Sequence, residues 1–356
     1  MAGSSISQAK MRSAKAAAKA IVKKQVEVEL PPHVIKARDN FAYFCELMGK
    51  KPARHMRDWH KVFLTGQSNE HLLDVAGPNT CLLSPRGSAK STVLGLLLGW
   101  LIGRHALAKK LLRILYVSYN VDVARNKSAA IKNLICSKEY QEVFPCVRLS
   151  KMRTSDELWS IDWDFAEVDI RGEDAFTVAC AGLKGTITSK RSSLIVVDDA
   201  IKSAASIANP DIRREMETNW TNVIVPTMFQ GARAIALGTR FHFDDLFATI
   251  FTEKKGWKVI TQSALSYDDD GRPKSYWPEM WAAKYLLKLQ ADDRVAFSYQ
   301  SLNQPVRSTE LGISPELFVK TEVPDDYDTI GVGIDLSAGM SERNDWTVFT
   351  LDGRVD

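Results

Sequence analysis

The sequence predicts an α/β protein in which a parallel β-sheet is flanked by helices. Three stretches carry that prediction. Residues 80–83 (TCLL) form a short apolar strand that passes through a small-residue loop, SPRGSAKST, into VLGLLLGWLIG, which reads as a buried helix. Residues 194–197 (LIVV) are a continuous apolar run ending in Asp198 and Asp199. Residues 234–238 (AIALG) are another, ending in Thr239 and Arg240. Unbroken apolar strands suit the centre of a sheet covered on both faces, and strands alternating with helices imply parallel pairing with right-handed crossovers.

Taken in order, residues 1–38 read as a basic, flexible N-terminal segment. Lys10, Arg12, Lys15, Lys19, Lys23 and Lys24 occur before any acid, and Pro31-Pro32 closes the stretch. A helix is predicted over 41–48, and a second over PARHMRDWHKVFL. Residues 112–119 (LRILYVSY) have the β-branched and aromatic content of a strand, and 122–137 that of a helix. Residues 165–181 read as one or two strands, and 182–191 as a polar, basic loop. The main domain is placed at 39–307. The largely polar stretch 308–328, with Pro315 and Pro324, reads as a linker, and 329–356 as the start of a second domain.

The loop 84–92 has the layout of a phosphate-binding P-loop. Small residues let backbone N–H groups approach phosphates, and the following helix adds the positive potential of its N-terminus. In that reading Ser84, Pro85, Arg86, Gly87, Ser88, Ala89, Lys90, Ser91 and Thr92 bind the nucleotide. Lys90 reaches the β/γ-phosphates and the Ser91 hydroxyl ligates Mg²⁺. The usual pattern has glycine immediately before the lysine and another six residues before it; Ala89 and Ser84 stand there instead. The plainer reading is an ordinary strand–turn–helix with its lysine in solvent. Asp198 and Asp199 weigh against it, because ligands of open parallel sheets bind at the carboxyl ends of strands. Asp198 would complete the Mg²⁺ site, and Asp199 would orient or deprotonate the attacking water. Thr239 and Arg240 are candidates to sense the γ-phosphate, or else cap their strand.

The series SPRGSAKST, LIVVDDA and ALGTRFHFDDLF resembles the large terminase subunit of tailed bacteriophages. Residues 277–281 (WPEMW) and 297–305 (FSYQSLNQP) are similar to the segment that closes that family's ATPase domain. Residues 330–335 (IGVGID) and 344–348 (NDWTV) are similar to the first hairpin of its RNase H-like nuclease. The resemblance implies a P-loop ATPase followed by the start of a truncated RNase H-like domain. The implied activity is ATP-driven translocation of viral double-stranded DNA into a procapsid, with endonuclease cutting in the full-length protein. ATP and Mg²⁺ are the implied cofactors. The implied partners are double-stranded DNA, the portal protein, the small terminase subunit and further copies of the chain in a ring. The implied location is the host cytoplasm. The resemblance also gives Arg86 a catalytic role on charge developing at the γ-phosphoryl group, a salt bridge at the loop base being the alternative. It makes Thr239 and Arg240 coupling residues, and Asp335 the first catalytic metal ligand of the nuclease. Arg54, His55 and Trp59 are candidates to contact the base, core packing being the alternative for Trp59. Arg213, Arg214 and Arg240 are candidates to complete a neighbour's site.

Composition sets bounds on these readings. A chain of 356 residues exceeds one typical core, which favours two domains. A net charge of +4 permits nucleic-acid binding without requiring it. Five scattered cysteines with no CxxC argue against a disulfide framework or a zinc site. The longest apolar run, 93–102, is far short of the ~20 residues of a membrane span, and the first residues lack the apolar core of a signal peptide. Two other classes stay open. One is another DNA-directed P-loop ATPase of helicase type. The other is a non-enzymatic assembly subunit with a decayed P-loop, which Ala89 and Ser84 would fit. With Asp335 as its single credible nuclease ligand, the sequence reads as a fragment that does not itself cut DNA.

Overall fold

The computed structural model describes residues 30–63, 78–162, 176–185, 187, 190–305, 328–335 and 348–354. Most of the first 38 residues and the linker 308–327 lie outside these. An eight-stranded sheet organises the main domain. Its strands are β1 (Asn79–Leu83), β2 (Ile114–Ser118), β3 (Leu149–Thr154), β4 (Leu158–Ile161), β5 (Val178–Gly182), β6 (Ser192–Asp198), β7 (Met228–Gly238) and β8 (Trp257–Thr261), in the spatial order 3-4-5-2-6-7-1-8. The six strands from β5 to β8 in that order pair in parallel.

The buried side chains alternate between the two faces. Leu82, Ile114, Tyr116, Leu194, Val196, Ile235 and Leu237 belong to one core. Their chain neighbours Cys81, Leu83, Leu115, Val117, Ile195, Val197, Ala234 and Ala236 belong to the other. This is why the sequence shows runs rather than alternation: both sides of each strand are covered. The first core is closed by helices α1 (Pro32–Asp39), α2 (Phe41–Leu47), α3 (Met56–Phe63), α4 (Lys90–Leu107), α5 (Val121–Cys136) and α6 (Lys138–Val143). The second is closed by α7 (Pro210–Asn219) and the turns that follow it. The predicted helix over 122–137 is α5, one residue earlier at each end, with Asn120 accepting the Val123 N–H at 2.9 Å as its cap.

Two features differ from expectation. Pro31-Pro32 does not simply end a flexible stretch, because Pro32 opens α1. Proline's fixed φ suits the first helical position and its missing N–H is an orphan there in any case. The sheet is also not parallel throughout. β3 and β4 form an antiparallel extension that continues antiparallel onto β5. The short polar turn between β3 and β4 cannot carry the crossover that parallel pairing needs.

Beyond β8 the chain builds a small annex. An antiparallel pair, β9 (Leu265–Tyr267) and β10 (Pro273–Ser275), is followed by α8 (Ala283–Asp292) and α9 (Arg294–Leu302). Ala264, Leu265, Leu286 and Phe297 are its core. Further on, β11 (Thr329–Asp335) and β12 (Val348–Arg354) form an antiparallel hairpin, with Asp335 opposite Val348. Ile330, Val332 and Ile334 on it remain more than half exposed at 61, 60 and 56%. Two strands alone do not bury a face. Asp345, in the 344–348 segment, lies outside the described residues.

Candidate functional site

The site lies at the carboxyl ends of β1, β7 and β6, which are adjacent in that order. The loop after β1 is pinned at its start. The Ser84 N–H donates to Gly238 O at 3.1 Å, the Thr239 hydroxyl donates to Ser84 O at 3.2 Å, and the Ser84 hydroxyl donates to Gln262 Oε1 at 3.2 Å. Gln262 itself follows β8 and donates its N–H to Leu83 O. The loop then turns through two left-handed residues. Gly87 has φ 76°, and an added Cβ would come within 2.8 Å of the Trp281 ring. Ala89 has φ 64° and ψ 21°, the conformation for which glycine is the usual choice, at a cost of ~1–2 kcal/mol. Ser88 donates its N–H to Pro85 O at 3.3 Å, and α4 begins at Lys90.

This brings the candidate residues together. The Ser91 hydroxyl donates to Asp198 Oδ1 at 3.0 Å, and the Tyr116 hydroxyl donates to Asp198 Oδ2 at 2.7 Å. Lys90, only 5% exposed, places Nζ 3.3 Å from Asp199 Oδ1 and 3.5 Å from Thr239 Oγ1. Asp199 itself is left-handed, φ 48°, and its N–H donates to Leu237 O at 3.0 Å. That turn lets two consecutive acids face different partners, Asp198 the serine and tyrosine hydroxyls and Asp199 the lysine.

The electrostatics follow from burial. Asp198 is 1% exposed, and that burial, with the charge of Asp199 beside it, pushes its carboxyl up to about 6; the Tyr116 and Ser91 hydroxyls partly oppose the rise. Burial beside Asp198 also raises the Tyr116 phenol well above its ordinary value, so it remains a donor. A hydroxyl and a carboxylate 3.0 Å apart are hard oxygen donors, the type of set that magnesium takes.

The remaining candidates are placed less centrally. Arg86 donates from Nη2 to Lys202 O at 3.1 Å and lies over the Phe241 ring at 5.6 Å. It is thus tied to the loops after β6 and β7 rather than to an acid at the loop base. Arg240 turns into the protein, with Nε 3.0 Å from the fully buried Asp245 and Nη2 donating to the carbonyls of His242 and Phe243. Arg213 is 7% exposed and donates to the carbonyls of Ile207 and Ala208, just before the start of α7. Arg214 is exposed and pairs with Asp211. Thr92, Ala89 and Trp277 line a cavity of about 340 Å³ beside the loop, together with Lys50, Lys51 and Met56. Among the described residues no three His, Cys, Asp or Glu side chains converge on a metal-sized site. No helix among them is long and apolar enough to cross a membrane.

Sequence reading missed Tyr116, Gln262 and Trp281 as parts of the site. Gln262 had no usable signal, since the strand it follows, β8, is partly polar and largely exposed. Tyr116 had none, being an aromatic residue inside an apolar strand, and Trp281 was singled out only as part of the WPEMW segment.

No protein-family model matches the chain, and no curated protein does. Solved structures give distant likenesses. One is the large terminase of a thermophilic bacteriophage in complex with ADP, at 9% identity over 85% of this chain and 65% of that one, with a TM-score of 0.42. A second is the large terminase of bacteriophage HK97, at 14% identity over 91% of this chain and 65% of that one, TM-score 0.43. A third is a DEAD box protein from the hyperthermophile Methanococcus jannaschii, at 11% identity over 68% and 59%, TM-score 0.32. The chain therefore spans about 65% of the length of the terminases it resembles.

Proposed function

We propose that this chain is the ATPase part of a viral DNA-packaging motor of the large-terminase type. The observation that carries the ATPase reading is the meeting of Ser91 with Asp198, and of Lys90 with Asp199 and Thr239, at the ends of three adjacent strands. Loop residues 84–92 would cradle the phosphates, with Lys90 leaving Asp199 to meet the β/γ-phosphates. Ser91 and Asp198 would hold Mg²⁺, which supplies charge neutralisation on the phosphates. Asp199, once free of Lys90, would orient the attacking water and accept its proton. Arg86 would leave the Lys202 carbonyl to face charge developing on the γ-phosphoryl group. Thr239, bonded to both Lys90 and the loop, would report the phosphate state along β7. The cavity beside Ala89, Thr92 and Trp277 has room for a base.

The packaging role, with double-stranded DNA, portal protein, small terminase subunit and a ring of copies in the host cytoplasm, rests on the motif resemblance. So does Asp335 as the first ligand of a nuclease. The test is Mg²⁺-dependent ATP turnover with and without double-stranded DNA. Turnover stimulated by duplex and lost in Asp198→Ala supports the proposal. Stimulation by single strands alone would favour a helicase-type translocase, and an absence of turnover in every condition would leave an assembly subunit.

A further inference from the structure

The shape of the loop is not explained by its own residues. Ala89 is left-handed with no side-chain cap to hold it. The preceding peptide is gripped from elsewhere in the chain: His55 Nε2 lies 3.2 Å from the Ser88 carbonyl oxygen. The His55 ring is 5% exposed and boxed by Trp59, Tyr276 and Trp277, each with its ring centroid 4.9 Å away. A ring enclosed by aromatics from two distant segments has little freedom to swing away. Burial also holds its pKa below the ordinary histidine value, favouring a neutral ring with one N–H. A carbonyl oxygen accepts only, so that hydrogen belongs on Nε2.

We propose that His55 is a positioning residue of the nucleotide site: its Nε2–H holds the Ser88 carbonyl and so keeps the Ser88–Ala89 peptide in the left-handed turn that aims the loop's amides at the phosphates. This rests on the reading of residues 84–92 as a phosphate loop. His55 does not line the cavity beside Ala89, so its effect runs through the loop and not through the base. It also accounts for the departure at Ala89. A glycine adopts the turn unaided, whereas an alanine needs its neighbour held.

The test is nucleotide titration of the whole chain with ATPγS and Mg²⁺, beside thermal melts. His55→Leu keeps an apolar side chain in the aromatic box and removes the donor; His55→Gln keeps a donor at similar reach. The expected result is that His55→Leu binds about tenfold more weakly, that His55→Gln stays within about threefold of wild type, and that adding Ala89→Gly to His55→Leu restores most of the loss. Equal weakening of the Leu and Gln variants with no rescue by Ala89→Gly would overturn the proposal, as would wild-type affinity in His55→Leu. Should His55→Leu fail to fold, the wild-type chain carrying ¹⁵N-labelled histidine gives the same answer at pH 8. An Nε2-protonated neutral tautomer at His55 supports the proposal and an Nδ1-protonated one overturns it. A Lys90→Ala variant that binds as wild type would instead remove the phosphate-loop reading itself.

Discussion

The loop after β1 takes its backbone shape from residues far away in the chain, whereas the backbone of the acid pair after β6 continues the sheet ladder and only its side chains are held by residues of β2 and α4. Gly87 is pressed by Trp281, Arg86 donates its N–H to Gln300 O, Ser88 is held by His55, and Ser84 is bonded to Gln262. Asp198 continues the β6–β7 ladder opposite Leu237, and Asp199 completes it with one backbone bond. The difference teaches where sequence departures are tolerated. Ala89 and Ser84 break the usual glycine pattern in the region whose form is imposed from outside. The strand end, whose backbone simply follows the sheet ladder, keeps the two acids that Ser91, Tyr116 and Lys90 hold.

The largest expected effect separates the two acids. Asp199→Asn should lower ATP turnover by about 10²–10³-fold, as loss of a group acting on the transition state does. Its nucleotide affinity should match or exceed that of wild type, because Lys90 no longer has a carboxylate to leave. Turnover assays and ATPγS titration on the same preparation check both halves; weaker binding would show that Asp199 does not compete for Lys90.

Asp198 offers a stability test of burial at the strand end. Its carboxyl, raised to about 6 in the folded chain, ordinarily titrates near 3.8. Between those values the folded state holds a proton that the unfolded state has lost, so this group's contribution to stability falls as pH rises through about 4 to 6. At about 1.4 kcal/mol per pH unit, the buried charge costs on the order of 3 kcal/mol above pH 6. In chelator-treated protein, Asp198→Asn should therefore melt several degrees higher than wild type at pH 8 and close to it at pH 4. A difference independent of pH would mean that the carboxylate is not buried as described.

A smaller effect probes the imposed shape of the loop. Gly87→Ala forces a Cβ towards Trp281 at a positive φ, and should cost about 1–3 kcal/mol in thermal or urea unfolding. Adding Trp281→Ala should recover the steric part of that loss. No recovery would show that Trp281 does not shape the loop.

How much of this was legible follows the same division. The strands 194–197 and 234–238 were readable because burial on both faces writes itself as an apolar run, and their acids and threonine fall where the run stops. Helix α4 was readable for the same reason. The partners of the loop were not, because His55, Gln262 and Trp281 meet it across separations that no local pattern encodes. Arg240 shows the converse: a residue whose surroundings the sequence does not give. Its position after a strand suggests a γ-phosphate sensor or a strand cap, and the buried Asp245, five residues on, pairs with it. The antiparallel β3–β4 extension escaped because its strands are short and half polar, with burial that gives no periodic signal.

The central claim, that loop 84–92 and the end of β6 together bind a magnesium nucleotide, is tested most directly by calorimetric titration of ATPγS into the wild-type chain and Lys90→Ala, each with and without Mg²⁺. The account predicts Mg²⁺-dependent binding to wild type, and binding to Lys90→Ala at least about thirtyfold weaker, since one buried charged donor to phosphate is lost. Equal affinity in the two chains, or binding indifferent to Mg²⁺, would contradict it.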